Sequence, residues 1–143
     1  MAKSKLQDPY CLDDQIGYLL RLASQRHAAI FQSLTLEGLT PTQFSALIRI
    51  SEQGQCSQNH LGRLAAMDVA TIKGVVDRLR QKGLTVTEAD PNDKRRMLIS
   101  LSPQGATLVA EMRRVGHAIT AETLSPLTVA EQRSMTRMLR KLA

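Results

Sequence analysis

The densest run of chemically active side chains is the charged stretch Asp93-Lys94-Arg95-Arg96, which follows the turn sequence Asp90-Pro91-Asn92. Three consecutive cations repel one another unless an anion is near, and Asp93 could hold one arginine through a fork-like ion pair. An exposed arginine at a hairpin tip suits the narrow, negative minor groove of DNA. The alternative is a solvated turn whose charges keep an edge strand soluble.

A second group of side chains shares one face of the helix predicted over 68–82. Ile72, Val75, Val76 and Leu79 recur at helical spacing and should face the core. The opposite face is small, polar and basic, as an approach to base edges in a major groove requires. An ordinary surface helix, whose cations merely solvate, would show the same pattern. The DNA contacts predicted outside the charged tip are Ser57, Val69, Ala70, Thr71, Lys73, Gly74 and Arg78.

Residues for catalysis or metal binding are sparse. His27, His60 and His117 fall in three separate predicted helices, and no two of these histidines have i,i+3 or i,i+4 spacing. The sequence contains no HExxH, GxSxG or Walker motif. We therefore expect no enzymatic activity, no metal and no cofactor.

The two cysteines, Cys11 and Cys56, are too few for a disulfide framework. A reactive thiol needs a lowered pKa, from a helix N-terminus or a cationic neighbour. Cys11 precedes a predicted helix, but Asp13 and Asp14 oppose thiolate formation. An unreactive cysteine is therefore the preferred interpretation of Cys11, and of Cys56, with redox sensing through Cys11 as the alternative.

The composition fits a single helical domain. The chain has 143 residues, of which 43% are hydrophobic, 22% charged and only 3% aromatic, so Leu, Ile, Val, Ala and Met must fill the core. A net charge of +6 indicates nucleic acid or an anionic surface as a partner. No apolar run is long enough to span a membrane, and none precedes Asp13, so we expect no signal peptide and a cytoplasmic protein.

Hydrophobic periodicity predicts four helices, a β-hairpin and two more helices. The first helix should cover about 12–34. Thr40, Pro41 and Gln43 form a capping box at the second, Asp68 caps the fourth, and Thr128 with Glu131 caps the last. The strands are predicted over 85–89 and 96–101. Two short helices followed directly by a hairpin make a winged helix-turn-helix, so the fold class is mainly α with a small β-wing.

The chain resembles the MarR family of bacterial winged helix-turn-helix regulators along nearly all of its length. The resemblance is carried by LTPTQFSALIRI at 39–50, HLGRLAAMDVATIKGVVDRLRQKGL at 60–84 and DPNDKRRMLISLSPQG at 90–105. It implies a homodimer that binds a palindromic operator on double-stranded DNA, usually as a repressor. The single domain, 1–143, would comprise a DNA-binding lobe at 36–102 and dimerisation helices at 10–35 and 103–143.

The family also implies release from DNA by a small anionic ligand, and polar residues on apolar stretches suggest where it binds. His27 is either a neutral histidine bonded to a backbone carbonyl or part of the ligand pocket. Arg49 is either a surface charge or a clamp for a planar carboxylate. We expect an aromatic acid such as hydroxynicotinate or a benzoate, as in regulators of nicotinate breakdown. The predicted ligand-binding residues are Tyr18, Leu22, His27, Ile30, Phe31 and Arg49.

The sequence thus predicts a DNA-binding repressor that responds to a small aromatic carboxylate. Two alternatives stay open: a redox-sensing regulator that acts through Cys11, and a winged-helix module that binds proteins. The second alternative leaves the cations at Lys94, Arg95 and Arg96 unexplained.

Overall fold

A computed structural model describes residues 9–143, so the part of the signal-peptide expectation that concerns residues 1–8 lies outside it. The elements follow the predicted order, with two additions: a 3₁₀ turn at the start and a short third strand. They are a 3₁₀ turn (Leu12–Asp14), α1 (Ile16–Leu34), α2 (Pro41–Gln53), β1 (Gln55–Ser57), α3 (Gln58–Leu64), α4 (Val69–Gln81), β2 (Thr85–Asp90), β3 (Asp93–Leu101), α5 (Pro103–Leu124) and α6 (Val129–Leu142). Within residues 9–143, no helix combines the length and apolarity that a membrane crossing needs.

The predicted helix starts are confirmed by their caps. The Thr40 hydroxyl accepts the N–H of Gln43 while the Gln43 side chain accepts the N–H of Thr40, and Thr128 with Glu131 repeats this arrangement at α6. Each cap satisfies backbone N–H groups that have no partner inside the helix. The second and last helices therefore begin where the local sequence signals place them.

The first helix begins later than predicted. Gln15 has an extended backbone, with φ −81° and ψ 131°, and separates the 3₁₀ turn at Leu12–Asp14 from α1. The apolar spacing that starts at Leu12 continues across this break, which is why periodicity alone joined the two segments.

The β-hairpin is longer than predicted, and its sheet has a third strand. Strand β3 begins at Asp93, so the charged stretch belongs to the strand and only Pro91 and Asn92 form the tip. Strand β1 pairs antiparallel with β3 in the sheet order β1-β3-β2, with Ser57 opposite Leu98. Three residues are too few to show an alternating pattern, so β1 left no periodic signal.

The core lies where α2, α3 and α4 meet the sheet and α5. The four residues predicted to face inward from α4, namely Ile72, Val75, Val76 and Leu79, are all buried. The fully buried side chains around them include Leu47, Ile50, Leu61, Leu84, Ile99 and Met112. Burying one face of α4 leaves its other face free for a partner.

The start of α5 is fixed against the segment that leads out of α4. The Ser102 hydroxyl donates to the carbonyl of Gly83 at 2.6 Å and accepts the N–H of Gly105 at 3.0 Å, while the Ser102 N–H donates to the carbonyl of Leu84 at 3.0 Å. A Cβ atom on Gly105 would lie 2.0 Å from the Leu84 oxygen. Only glycine fits this close approach.

Helix α1 lies against α5, and both α1 and α6 keep apolar surface uncovered. The Arg26 guanidinium on α1 donates to the last carbonyls of α5, those of Thr123 at 2.5 Å and Glu122 at 3.0 Å. The exposed large apolar residues on α1 and α6 are Ile16, Leu19, Leu20, Leu22, Leu34, Val129, Met138, Leu139 and Leu142.

Candidate nucleic-acid interface and ligand cleft

The outer face of α4 carries the residue types that base contacts require. Asp68 caps this helix by accepting the N–H of Thr71 at 2.7 Å, and that hydrogen bond lowers the pKa of the Asp68 carboxyl. Nothing lies within 4 Å of a Cβ built on Gly74, so the helix surface is open there. All six predicted contacts on this helix are exposed: Val69, Ala70, Thr71, Lys73, Gly74 and Arg78.

The charges of the hairpin are held less tightly than predicted. The Nε of Arg95 lies 3.5 Å from Oδ1 of Asp93, a single contact instead of a fork. The same oxygen also accepts the backbone N–H of Arg95 at 3.0 Å. The Arg95 side chain is 94% exposed. Arg96 approaches Asp90 at 3.9 Å, and Lys94 is exposed. The hairpin therefore presents its arginines to solvent, within reach of a partner.

A cleft of about 410 Å³ lies between α3 and the hairpin, and sequence reasoning found only part of it. Asn59 and Arg63 stand four residues apart on α3, a spacing that places them on one helix face. That spacing was the available signal, but nothing in the sequence joined it to the hairpin. The lining residues are Ser57, Gln58, Asn59, Arg63, Arg95, Arg96 and Met97.

Ser57, a predicted DNA contact, has a structural role as well. Its side-chain oxygen accepts the N–H of His60 at 3.3 Å and so caps α3, and the residue is only 7% exposed. It also lines the cleft. A contact with a ligand there would involve a hydroxyl group that is already oriented by the cap.

A second cleft, of about 560 Å³, lies between α1, α5 and α6 and has a largely apolar lining. His27 lines it and is half-buried, with Nδ1 at 2.9 Å from the Thr123 hydroxyl. Of the two interpretations of His27, the structure thus places it in a cleft, and its hydrogen-bond partner is a side chain instead of a backbone carbonyl. The other five predicted ligand residues do not line this cleft. Of the six predicted ligand-binding residues, His27 alone lines this cleft in the single chain.

The positions of the other five explain this outcome. Arg49 is exposed and ion-paired to Glu52 at 2.9 Å, because α2 turns its opposite side to the core.

The four remaining residues lie on α1. Phe31 is buried and packs edge-on against Phe44, with ring centroids 5.5 Å apart. Tyr18 lies under the Arg21 guanidinium, which is 5.4 Å from the ring centroid. Leu22 is exposed and Ile30 half-buried.

The cysteines occupy contrasting positions. Cys56 is buried in β1, and burial raises the pKa of its thiol, which disfavours the reactive thiolate. Cys11 is exposed immediately before the 3₁₀ turn. Among residues 9–143, no three His, Cys, Asp or Glu side chains come together as metal ligands would.

Comparison with known proteins gives consistent matches. A family model described as the MarR family matches residues 39–97. The HTH-type transcriptional repressor NicR of Pseudomonas putida is 36% identical over 135 residues, which cover 94% of this chain and 85% of that protein.

Two solved structures share the fold along nearly the whole chain. A probable transcriptional regulator from Pseudomonas aeruginosa is 50% identical with a TM-score of 0.90, covering 93% of this chain and 100% of that one. BpsR of Bordetella bronchiseptica is 40% identical with a TM-score of 0.87, covering 94% and 96%, and its structure concerns regulation of DNA binding by 6-hydroxynicotinic acid.

Proposed function

Because the chain belongs to the MarR family of winged helix-turn-helix transcription regulators, we propose that it is a repressor that binds a palindromic operator as a homodimer and leaves it when a small aromatic carboxylate binds. The observation that carries this proposal is that α4 is amphipathic. Its apolar side is buried in the core, while its small, polar and basic side is exposed, and the chain continues into a hairpin with exposed arginines. This arrangement suits a helix in the major groove and an arginine in the adjacent minor groove.

In this proposal, residues 36–102 form the DNA-binding lobe, and 10–35 and 103–143 form the dimerisation helices. The apolar side chains exposed on α1 and α6 support a dimer, because Ile16 is 67% and Leu142 71% exposed in the single chain. Burial of such residues under a second copy of the chain lowers the free energy of the dimer relative to the separate chains. A two-fold protein then pairs with a two-fold operator.

The proposed effector is a planar aromatic acid. BpsR, whose DNA binding is regulated by 6-hydroxynicotinic acid, supports this class. The His27 cleft supports it too, since about 560 Å³ of largely apolar space with a few polar groups suits a small aromatic ligand. Arg49 lies outside that cleft in the single chain, so a variant at Arg49 tests the carboxylate clamp separately from the cleft.

The test begins with duplexes selected from genomic fragments by the purified protein. Footprinting should show a protected inverted repeat, and affinity should fall steeply with salt, because phosphate contacts release counterions. 6-Hydroxynicotinic acid should then release the wild type from the selected duplex. A single unpaired half-site, or affinity that does not depend on salt, would contradict the DNA-binding proposal.

Substitutions locate the effector site. His27→Ala should bind the duplex normally and respond weakly to 6-hydroxynicotinic acid, while the exposed His117→Ala serves as the matched control and responds as the wild type does. Arg49→Ala tests the carboxylate clamp in the same titration. Unchanged ligand affinity in both His27→Ala and Arg49→Ala, measured by calorimetry, would place the site elsewhere.

A further inference from the structure

The cleft between α3 and the hairpin has the chemistry of an anion site. Three arginines line it, Arg63 on α3 and Arg95 and Arg96 on β3. No carboxylate belongs to the lining. Like charges that share a cleft repel one another, so this arrangement is most stable when an anion occupies the space between them.

Arg63 is the least compensated of the three cations. Arg95 and Arg96 have aspartate partners at 3.5 and 3.9 Å, long and exposed contacts that contribute little stability. Arg63 is exposed and forms no ion pair with any residue in 9–143. An anionic ligand can therefore bind Arg63 without first breaking an ion pair within the protein.

The remaining lining residues narrow the ligand class. Gln58 and Asn59 supply carboxamide N–H groups, and Met97 is the one apolar side chain. The lining contains no aromatic ring on which a base could stack. Guanidinium groups match the oxygens of phosphate in paired hydrogen bonds, so the cleft favours a phosphate group over a base.

The two walls of the cleft are fixed to each other before any ligand binds. Strand β1 pairs with β3, with Ser57 opposite Leu98, and α3 starts at the next residue, Gln58. The ladder between β1 and β3 therefore joins the backbone that leads into α3 to the strand that carries Arg96. A cleft whose walls are joined in this way before binding lowers the entropic cost of binding a ligand.

We propose that this cleft holds one phosphate of the DNA backbone, bound by Arg63 from the helix-turn-helix and by Arg96 from the hairpin, an inference that rests on the proposed DNA-binding function. One phosphate then ties the hairpin to α3 on the duplex. This contact sets the register of the protein without reading sequence. Arg95, whose side chain is 94% exposed, stays free to enter the minor groove.

A double-mutant cycle tests whether the two arginines share one phosphate. Arg63→Gln and Arg96→Gln should each weaken binding of the selected duplex about tenfold and lower the salt slope by about one. The double variant should show little further loss, because both side chains act on the same group. Arg114→Gln, at an exposed position on α5, is the matched control and should bind as the wild type does. Melting curves check that all variants are folded.

Chemically altered duplexes identify the phosphate and its source. One neutral methylphosphonate, scanned along each strand, should at one position per half-site abolish the difference between wild type and Arg63→Gln. Inorganic phosphate at matched ionic strength should compete no better than chloride; stronger competition would indicate a site for free phosphate and overturn the proposal. The proposal would also be overturned if the losses in affinity of the two single variants added up in the double variant, or if the double variant lowered the salt slope by two. An Arg63→Gln variant that binds the duplex as tightly as the wild type would overturn it too. Failure of the wild type to bind any duplex would instead overturn the proposed function itself.

Discussion

At the residue scale, a substitution at Arg95 should change the affinity for DNA without changing the stability of the fold. Its side chain is 94% exposed, and its contact with Asp93 spans 3.5 Å, so Arg95→Ala removes no buried interaction. The melting temperature should stay unchanged, while affinity for the selected duplex should fall tenfold or more, because a hydrogen bond to a charged group contributes about 1.5–3 kcal/mol. Fluorescence anisotropy measures the loss, with Lys94→Ala for comparison. Equal affinity of Arg95→Ala and wild type would remove the hairpin from the interface.

Asp68 makes the start of α4 sensitive to acid. The hydrogen bond from Thr71 lowers the pKa of Asp68 below its ordinary value of 3.8, so the charged cap stabilises the folded state. This stabilisation is complete above the unfolded-state pKa and is lost as the pH falls through the folded-state pKa. Asn also caps helices but does not titrate there. Melting temperatures of wild type and Asp68→Asn should therefore differ most above pH 3.8 and converge below it; a difference that does not vary with pH would contradict this role.

At the element scale, Gly105 decides how closely α5 approaches the end of α4. A Cβ at this position would lie 2.0 Å from the Leu84 carbonyl oxygen, so Gly105→Ala must shift backbone. We expect a cost of about 1–3 kcal/mol and a melting temperature several degrees lower. Gly74→Ala is the control, because it meets nothing within 4 Å and should raise stability by about 0.5–1 kcal/mol. Both are compared by thermal melting at one protein concentration, and a Gly105→Ala variant as stable as wild type would show that the junction can relax.

The same scale shows what the sequence could predict and why. The caps at Thr40, Asp68 and Thr128 depend on residues three positions apart, so the helix starts were predictable from local signals. The pairing of β1 with β3 joins positions more than forty residues apart and leaves no local pattern. That pairing brings α3 next to the hairpin. The position of Arg63 in the cleft therefore could not be predicted from local sequence, whereas the exposed arginines of the hairpin could.

The ligand residues show the same limit in another form. Arg49 interrupts an apolar stretch, and this pattern suggests a ligand-binding residue. In the structure, α2 buries Ala46, Leu47 and Ile50 and leaves Arg49 exposed to solvent. Sequence spacing indicates which side of a helix a residue occupies. It does not indicate which cavity that side meets, because the packing of α1 on α5 decides that.

At the scale of the whole molecule, Leu139 tests the homodimer. It is 44% exposed and lines the cleft between α1, α5 and α6, so Leu139→Glu would be tolerated in an isolated chain. In a dimer that covers α6, the same change buries an unpaired charge, which is strongly unfavourable. Sedimentation should show a dimeric wild type and a monomeric Leu139→Glu. Val86→Glu, at a 49% exposed position on β2, should remain dimeric.

The result that contradicts this prediction is a Leu139→Glu variant with the same mass as the wild type. A wild type that sediments as a monomer would contradict the proposed homodimer directly. Loss of duplex affinity together with loss of the dimer would connect the two halves of the proposed function, because one α4 alone contacts only one half-site.

The fixed start of α5 gives this helix the mechanics of a lever arm. It has 22 residues, about 33 Å of rigid helix, with Ser102 anchoring one end beside α4 and Arg26 holding the other end to α1. A tilt of about 5° over that length moves the far end by about 3 Å. In the proposed homodimer, a small tilt of α5 would therefore change the spacing of the two α4 helices relative to the pitch of the double helix.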